Sequence, residues 1–278
     1  MLIGLVSVVC QFLNRSFASL PTQCTTVDPL DGTKNYAKGQ FDAVSTLVAI
    51  VLDNTPIFGV ICKPFGHCGT NTGSSDGNNN NTKSETVTAD GQTQTHNHHH
   101  HFTNPHCFAV YGGTLLNGAY IADSSCHVFH QEVCIPQQHP EESKAVISSS
   151  RSGGIVQHIC TKLHSHGMLA KDPVLVSGAG EKALRLLVGT QGEALWPFPR
   201  SGTSLWDVAA ADALLKAVGG CLTDAYGRPM DYQSAATRGG STDNTQGIIA
   251  SNRKELHQAC LDVFRKIEEE RKREQCQT

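Results

Sequence analysis

The run Asp28-Pro29-Leu30-Asp31-Gly32-Thr33 sets two carboxylates around a proline and follows them with a glycine and a hydroxyl. If Asp28 ends a strand and Gly32 and Thr33 open the next segment, Asp28, Asp31 and the Leu30 carbonyl offer hard oxygen donors from one turn. That donor set suits Mg²⁺, which takes carboxylates, carbonyls and water in an octahedron and is shared with substrate phosphate. The Gly32 and Thr33 N–H groups and the Thr33 hydroxyl would then hold a phosphate oxygen or orient an attacking water. Taken alone, the same six residues are also good turn formers, and a plain strand connection fits them equally well.

A third carboxylate comes from the second half of the chain. In "SLWDVAAADALLKAVGG" a helix is expected from about Ser204 to Val218, capped by Ser204 and closed by Gly219-Gly220, with Asp207 in its first turn. Asp207 either complements the positive helix end, worth about 0.3–1 kcal/mol, or reaches Asp28 and Asp31 as a further ligand. The stretch "DPVLVSGAGEKALRLLVGT" reads as strand, glycine-rich turn and helix. Such a turn presents N–H groups to an anion, although close chain packing also explains its glycines. The ammonium of Lys182 stands beside that turn and can pair with a phosphate.

The elements that must carry these residues divide the chain into 1–142 and 143–278. In the first part, Val44 to Leu52 and Ile57 to Cys62 form a hairpin through Asp53-Asn54-Thr55-Pro56, and two further strands flank Gly112-Gly113, giving a mostly antiparallel sheet. Between them, from about 66 to 106, a polar tract of low complexity has almost no apolar side chains to bury and is expected to be a disordered surface insertion. Its five histidines at positions 96 to 101 read as a compositional run, although imidazole can ligate transition metals. The second part begins near Lys144 with strand, loop and helix. It ends in an amphipathic helix with Leu256, Cys260, Val263 and Ile267 on one face, Glu268/Lys272 and Glu269/Arg273 pairs, and a frayed charged tail. The fold class expected is α/β.

Composition narrows the partners. With 22 basic and 25 acidic residues and a net charge of −3, the chain has no broad electrostatic footprint for a nucleic acid polymer or a membrane, so any phosphate binding must be local and a small soluble substrate is expected rather than a polymer. Eleven cysteines without a CxxC pair point to a reducing, cytoplasmic compartment. The apolar opening "MLIGLVSVVC" lacks a basic flank and is too short to span a bilayer, and is expected to be a buried strand or helix stub.

Together, the Asp28–Thr33 run, Trp206-Asp207 and Gly219-Gly220 resemble the inositol monophosphatase-like superfamily of Mg²⁺-dependent, lithium-sensitive phosphatases. The strings "VDPLDGTKNY", "GVICKPFG", "SSSRS", "VSGAGEKALRLL" and "WDVAAADALLKAVGGCLTDAYG" look most like its 3′(2′),5′-bisphosphate nucleotidases, over about Thr25 to Leu261. The resemblance implies a layered αβαβα sandwich, two or three Mg²⁺ ions, and hydrolysis of adenosine 3′,5′-bisphosphate to AMP. The inositol phosphate and inositol polyphosphate 1-phosphatases are the nearest alternative, and a weak or inactive family member is another. Carried over, the metal ligands fall on Asp28, the Leu30 carbonyl, Asp31 and Asp207. Catalytic roles fall on Asp31 and on Thr33, which helps to activate water; substrate contacts fall on Gly32, Thr33, Ser150, Gly178 and Lys182. Two departures stand out. Relatives carry an acidic segment before the turn, whereas the 27 residues preceding Asp28 contain no Asp or Glu, and the expectation is that the sequence is an incomplete version of a longer enzyme. Gly153 stands where relatives of this branch place a histidine that contacts the nucleotide.

Overall fold

The computed structural model describes residues 23–66, 107–123, 128–233 and 242–276. The apolar opening and residues 67–106, with the histidine run and the expected disorder, lie outside the described residues. Strands β1 (Gln23–Asp31), β2 (Ser45–Leu52), β3 (Thr55–Lys63), β4 (Phe108–Gly113), β5 (Gly118–Asp123) and β6 (Val128–Glu132) pair in chain order as an antiparallel meander. Asp53 and Asn54 both take positive φ, 47° and 62°, and close the β2–β3 hairpin as a two-residue turn, the geometry that matches strand twist. The turn is therefore shorter than expected. Pro56 belongs to β3 and pairs with Val51 beside a register irregularity, where a missing N–H is tolerated. Gly112 and Gly113 likewise lie inside β4, opposite Ala119 and Gly118, and the reversal is made by Thr114–Leu116 and Asn117.

The second sheet has the order β11-β13-β9-β7-β8. Its members are β7 (Lys144–Ser148), β8 (Val174–Val176), β9 (Glu193–Phe198), β11 (Cys221–Thr223) and β13 (Ile248–Ser251); β7 runs parallel to β8 and β9, and the other pairs are antiparallel. A two-residue pair, β10 (Thr203–Ser204) with β12 (Asp243–Asn244), stands at the cleft. The helices are α1 (Thr33–Tyr36), α2 (Ile155–Ser165), α3 (Ala179–Val188), α4 (Leu205–Ala217) and α5 (Lys254–Gln275).

Period-two alternation divides the second sheet between two helical layers. Ala145, Ile147 and Ile249 pack with Ile159 of α2 and Phe264 of α5, whereas Val146, Trp196 and Ile248 pack with Leu184 of α3 and Leu214 of α4. The latter cluster also takes in Leu47 and Ile61 of the meander, so α3 and α4 are a filling shared by both sheets. The described residues thus stack helix, sheet, helix, sheet, four layers of the expected five. α4 is apolar nearly all round because it has no solvent face over most of its length. Its alanines let it lie directly on the meander: a Cβ added at Gly59 of β3 would stand 2.5 Å from the Ala210 carbonyl oxygen.

In α5 the predicted face, Leu256, Cys260, Val263 and Ile267, is buried. The helix does not fray at its charged end but continues to Gln275; Glu268 meets Arg271 at 3.0 Å, not Lys272, while Glu269 and Arg273 stand 3.9 Å apart. Among the described residues no helix is long and apolar enough to cross a membrane.

Candidate active site

The two aspartates of the Asp28–Thr33 turn reach one face through an irregularity in β1. Asp28 pairs with Leu47 and Asp31 with Ser45, so β1 uses one residue more than β2 over the same span. This is a β-bulge at Pro29-Leu30. Leu47 and Ser45 are two apart and share a face, so Asp28 and Asp31 share it too; a regular strand would send them to opposite sides. Asp28 Oδ1 then accepts the Leu30 N–H at 3.1 Å, and the Thr33 hydroxyl donates to the Leu30 carbonyl at 2.9 Å. Gly32 caps α1, with Thr33 exposed beside it.

Asp31 is turned toward the second half of the molecule. Its Oδ2 accepts the Ser45 hydroxyl at 2.9 Å and the Gly180 N–H, in the first turn of α3, at 2.8 Å. An anion at a helix N-terminus is favoured by the unpaired amides and the helix dipole. Gly178 makes this approach possible: its φ is +81°, and an added Cβ would stand 2.8 Å from Asp31 Oδ2.

Asp207 enters from α4. Its Oδ2 accepts the Ser204 N–H at 2.7 Å, so the helix-capping role is filled. The carboxyl also stands beside that of Asp28, so capping does not take it away from the turn. Burial, then the charges of Asp31 and Asp28, push Asp207 up to about 7. Burial and the nearby Asp31 also raise Asp28. Crowded, partly desolvated carboxylates without a cation hold on to a proton more tightly than free ones. This donor set fits a hard divalent ion, because metal charge would take the place of that proton. Among the described residues no three His, Cys, Asp or Glu side chains stand close enough together to hold a metal ion as placed, Asp31 being committed in part to α3.

The facing wall is basic. Lys182, on the next turn of α3, is 4% exposed; its Nζ donates to the Gly178 carbonyl at 2.6 Å and lies 5.6 Å from the centre of the Trp196 ring. Burial brings its ammonium down to about 8, against an opposing pull from Asp31. Ser148, at the end of β7, and Arg151, in the loop that follows, line the cleft with Lys182 and Asp207, whereas Ser150 between them is exposed and off the wall. Gly153 faces open space: an added Cβ would meet nothing within 4 Å.

The structure brings together Asp28, Asp31, Asp207, Gly178 and Lys182, keeps Leu30, Gly32 and Thr33 on the same turn, and leaves Ser150 outside. Sequence reasoning missed Ser45, whose role depends on the β1–β2 register. It also passed over Arg151 and Arg200, although two arginines flanking an aromatic and a glycine-rich loop were visible as types.

Comparison with known proteins places this geometry. The profile of the inositol monophosphatase family matches residues 18–269. The chain is 28% identical over 242 residues to the 3′(2′),5′-bisphosphate nucleotidase 1 of Dictyostelium discoideum, spanning 86% of this chain and 62% of that protein. It is 25% identical over 237 residues to the inositol monophosphatase 3 of Danio rerio, spanning 84% and 51%. It thus spans between 51% and 62% of the length of these curated relatives. Among solved structures it is similar to the inositol monophosphatase of Anabaena, with a TM-score of 0.54 at 18% identity over 94% of this chain and 83% of that one. It is also similar to an IMPase/NADP phosphatase complexed with Mg²⁺ and phosphate, with a TM-score of 0.51 at 15% identity over 92% and 77%. At such identities the structural likeness is one of fold, while the profile match over most of the sequence makes the chain a member of the inositol monophosphatase family.

Proposed function

We propose that this cleft hydrolyses a phosphomonoester with the help of two or three Mg²⁺ ions, and that the substrate is a 3′(2′),5′-bisphosphate nucleotide such as adenosine 3′,5′-bisphosphate, giving AMP and phosphate. The observation that carries the reading is the convergence of Asp31 and Asp207 on one cleft that also bears Lys182, with Asp28 beside Asp207 on the acidic side. The nucleotide assignment is supported by the strings quoted above and by the names of relatives such as the Dictyostelium protein. An inositol phosphate is the second reading, supported by the match to inositol monophosphatase 3.

In this reading Asp28, Asp31, Asp207 and the Leu30 carbonyl hold the ions. Bound there, Mg²⁺ supplies Lewis-acid stabilisation of the phosphoryl group and lowers the pKa of a coordinated water. Asp28 and Asp207, whose carboxyl pKa values are raised by burial and crowding, would be drawn to the ionised form by a bound cation. Thr33, whose hydroxyl already donates to the Leu30 carbonyl, keeps its oxygen lone pairs for a proton of the attacking water. The first turn of α3 orients Asp31 and offers N–H groups to a phosphate oxygen, and Lys182 adds positive charge to the wall across from the acids.

Phosphate release by the purified chain from adenosine 3′,5′-bisphosphate and inositol 1-phosphate, with Mg²⁺, without it, and with added lithium, tests the proposal. Mg²⁺-dependent, lithium-inhibited release from the nucleotide is expected. Release from inositol 1-phosphate alone would reject the nucleotide assignment, and release without divalent metal would reject the mechanism.

A further inference from the structure

The basic side of the cleft holds more positive charge than the residues around it neutralise. Phe198, at the end of β9, is flanked by two guanidinium groups, Arg200 at 5.1 Å and Arg151 at 5.9 Å from the ring centre. Arg151 donates from Nη1 to the Gly202 carbonyl at 3.2 Å, and Arg200 donates from Nη2 to the Arg151 carbonyl at 2.5 Å. Gly202 lets the first guanidinium lie against the chain, since an added Cβ there would stand 2.6 Å from Arg151 Nη1. Neither arginine meets a carboxylate among the described residues, and the buried Nε of Arg200 has no hydrogen-bond partner.

The two cations on the cleft wall differ in what they can still bind. Lys182 is buried and spends a donor on the Gly178 carbonyl, so it mainly sets the potential of the wall. Arg151 is exposed on the same wall, is fixed by its stacking and its single carbonyl contact, and keeps most of its five donors. A planar, rigid fork of this kind matches phosphate in a bidentate contact that an ammonium cannot make. Its charge also holds down the pKa of Lys182, which places the two cations within electrostatic reach. Cations gathered without a counter-ion favour an incoming anion, and the acidic wall opposite is already suited to metal and the scissile group.

We propose that Arg151 is a specificity-determining residue that binds the second, retained phosphate of a bisphosphorylated substrate, with Arg200 as a positioning residue that holds the Arg151 backbone and shares its aromatic platform. This deepens the function proposed above and rests on it. The retained-phosphate role passes from Lys182, to which the ammonium chemistry first pointed, to the guanidinium beside it.

Calorimetry on the full chain in Mg²⁺ tests the assignment with two probes, AMP, which keeps the second phosphate, and inorganic phosphate, which reports the metal side. Arg151→Gln is expected to weaken AMP by about tenfold or more, the scale of one lost charge-assisted contact, and to leave inorganic phosphate within about twofold. Arg151→Lys should recover only part of the loss because the fork is gone. Arg200→Gln should reproduce a smaller loss with AMP only. Equal weakening of both probes, or AMP binding that ignores Arg151, overturns the proposal. If the wild type ignores AMP but binds inositol 1,4-bisphosphate, the nucleotide reading has failed alone, and the same Arg151→Gln contrast between that ligand and inositol 1-phosphate decides the residue's role. A wild type that binds neither AMP nor inositol 1,4-bisphosphate overturns the inference.

Discussion

The two walls of the cleft are unbalanced in opposite senses. On one, burial and the crowding of Asp28, Asp31 and Asp207 raise Asp207 to about 7. On the other, Lys182 is desolvated until it falls to about 8, and Arg151 carries a charge that no described carboxylate meets. Among the described hydrogen bonds, the walls meet where Asp31 accepts the Gly180 N–H at the start of α3. If their purpose were mutual neutralisation, salt bridges would cross the cleft, as Lys63 does to Glu181 at 2.5 Å behind it. On the function proposed above, the separation makes each wall complementary to something brought from outside, a cation for the first and an anion for the second.

Removing a charge from the acidic wall should have the largest effect. Asp207→Asn or Asp28→Asn is expected to lower Mg²⁺-dependent phosphate release by about 10²–10³-fold, since several kcal/mol of transition-state stabilisation depend on the metal and each 1.36 kcal/mol is tenfold. A loss below about tenfold would mean that this wall is not the metal side.

Next comes the point where the walls meet. Gly178→Ala forces a Cβ against Asp31 Oδ2 from a left-handed backbone, and should cost about 1–3 kcal/mol of stability by chemical denaturation, with reduced activity. An unchanged midpoint would show that Asp31 is free to leave the helix end.

The pH profile should carry one edge from each wall. Mg²⁺ would compete with protonation of Asp207, so apparent metal affinity should fall as pH drops through about 7. Lys182 loses its charge as pH rises through about 8, so the substrate KM should climb above that value. Arg151→Gln should leave the acidic edge in place.

The smallest effect is on the metal-free fold. Asp207 has a folded pKa raised from 3.8 to about 7, so between those values the folded chain holds a proton that the unfolded chain has released. The contribution of this group to stability therefore declines as pH rises across that window. A melting temperature that drops from pH 5 to pH 7.5, and a shallower drop in Asp207→Asn or with Mg²⁺, is the expected pattern.

Much of the acidic wall was legible because its chemistry lies in contiguous residues. Asp28, Leu30, Asp31 and Thr33 announce themselves by type and spacing, and Asp207 by its place in a capped helix. What composition could not reveal was the bulge at Pro29-Leu30 that aligns the two aspartates, or the register that puts Ser45 under Asp31. The basic wall was harder to read, because Arg151, Phe198 and Arg200 meet only after β7 and β9 pair in parallel. The family resemblance placed a substrate contact on Ser150, while Ser148 and Arg151 line the cleft. In the scaffold, apolar runs located most strands correctly, but glycine and proline were over-read as turns: Pro56 sits at a bulge and Gly112-Gly113 inside β4, where tertiary pairing overrides local preference.

The most direct test of an acidic wall awaiting a cation is the proton count on Mg²⁺ binding. Titrating the metal into the chain at pH 6.5 and pH 8.5, in buffers of different ionisation enthalpy, should show release of most of one proton per chain at the lower pH and almost none at the higher. The release should vanish in Asp207→Asn. Tight Mg²⁺ binding at pH 6.5 with no proton released, or with the same release in Asp207→Asn, would contradict the account.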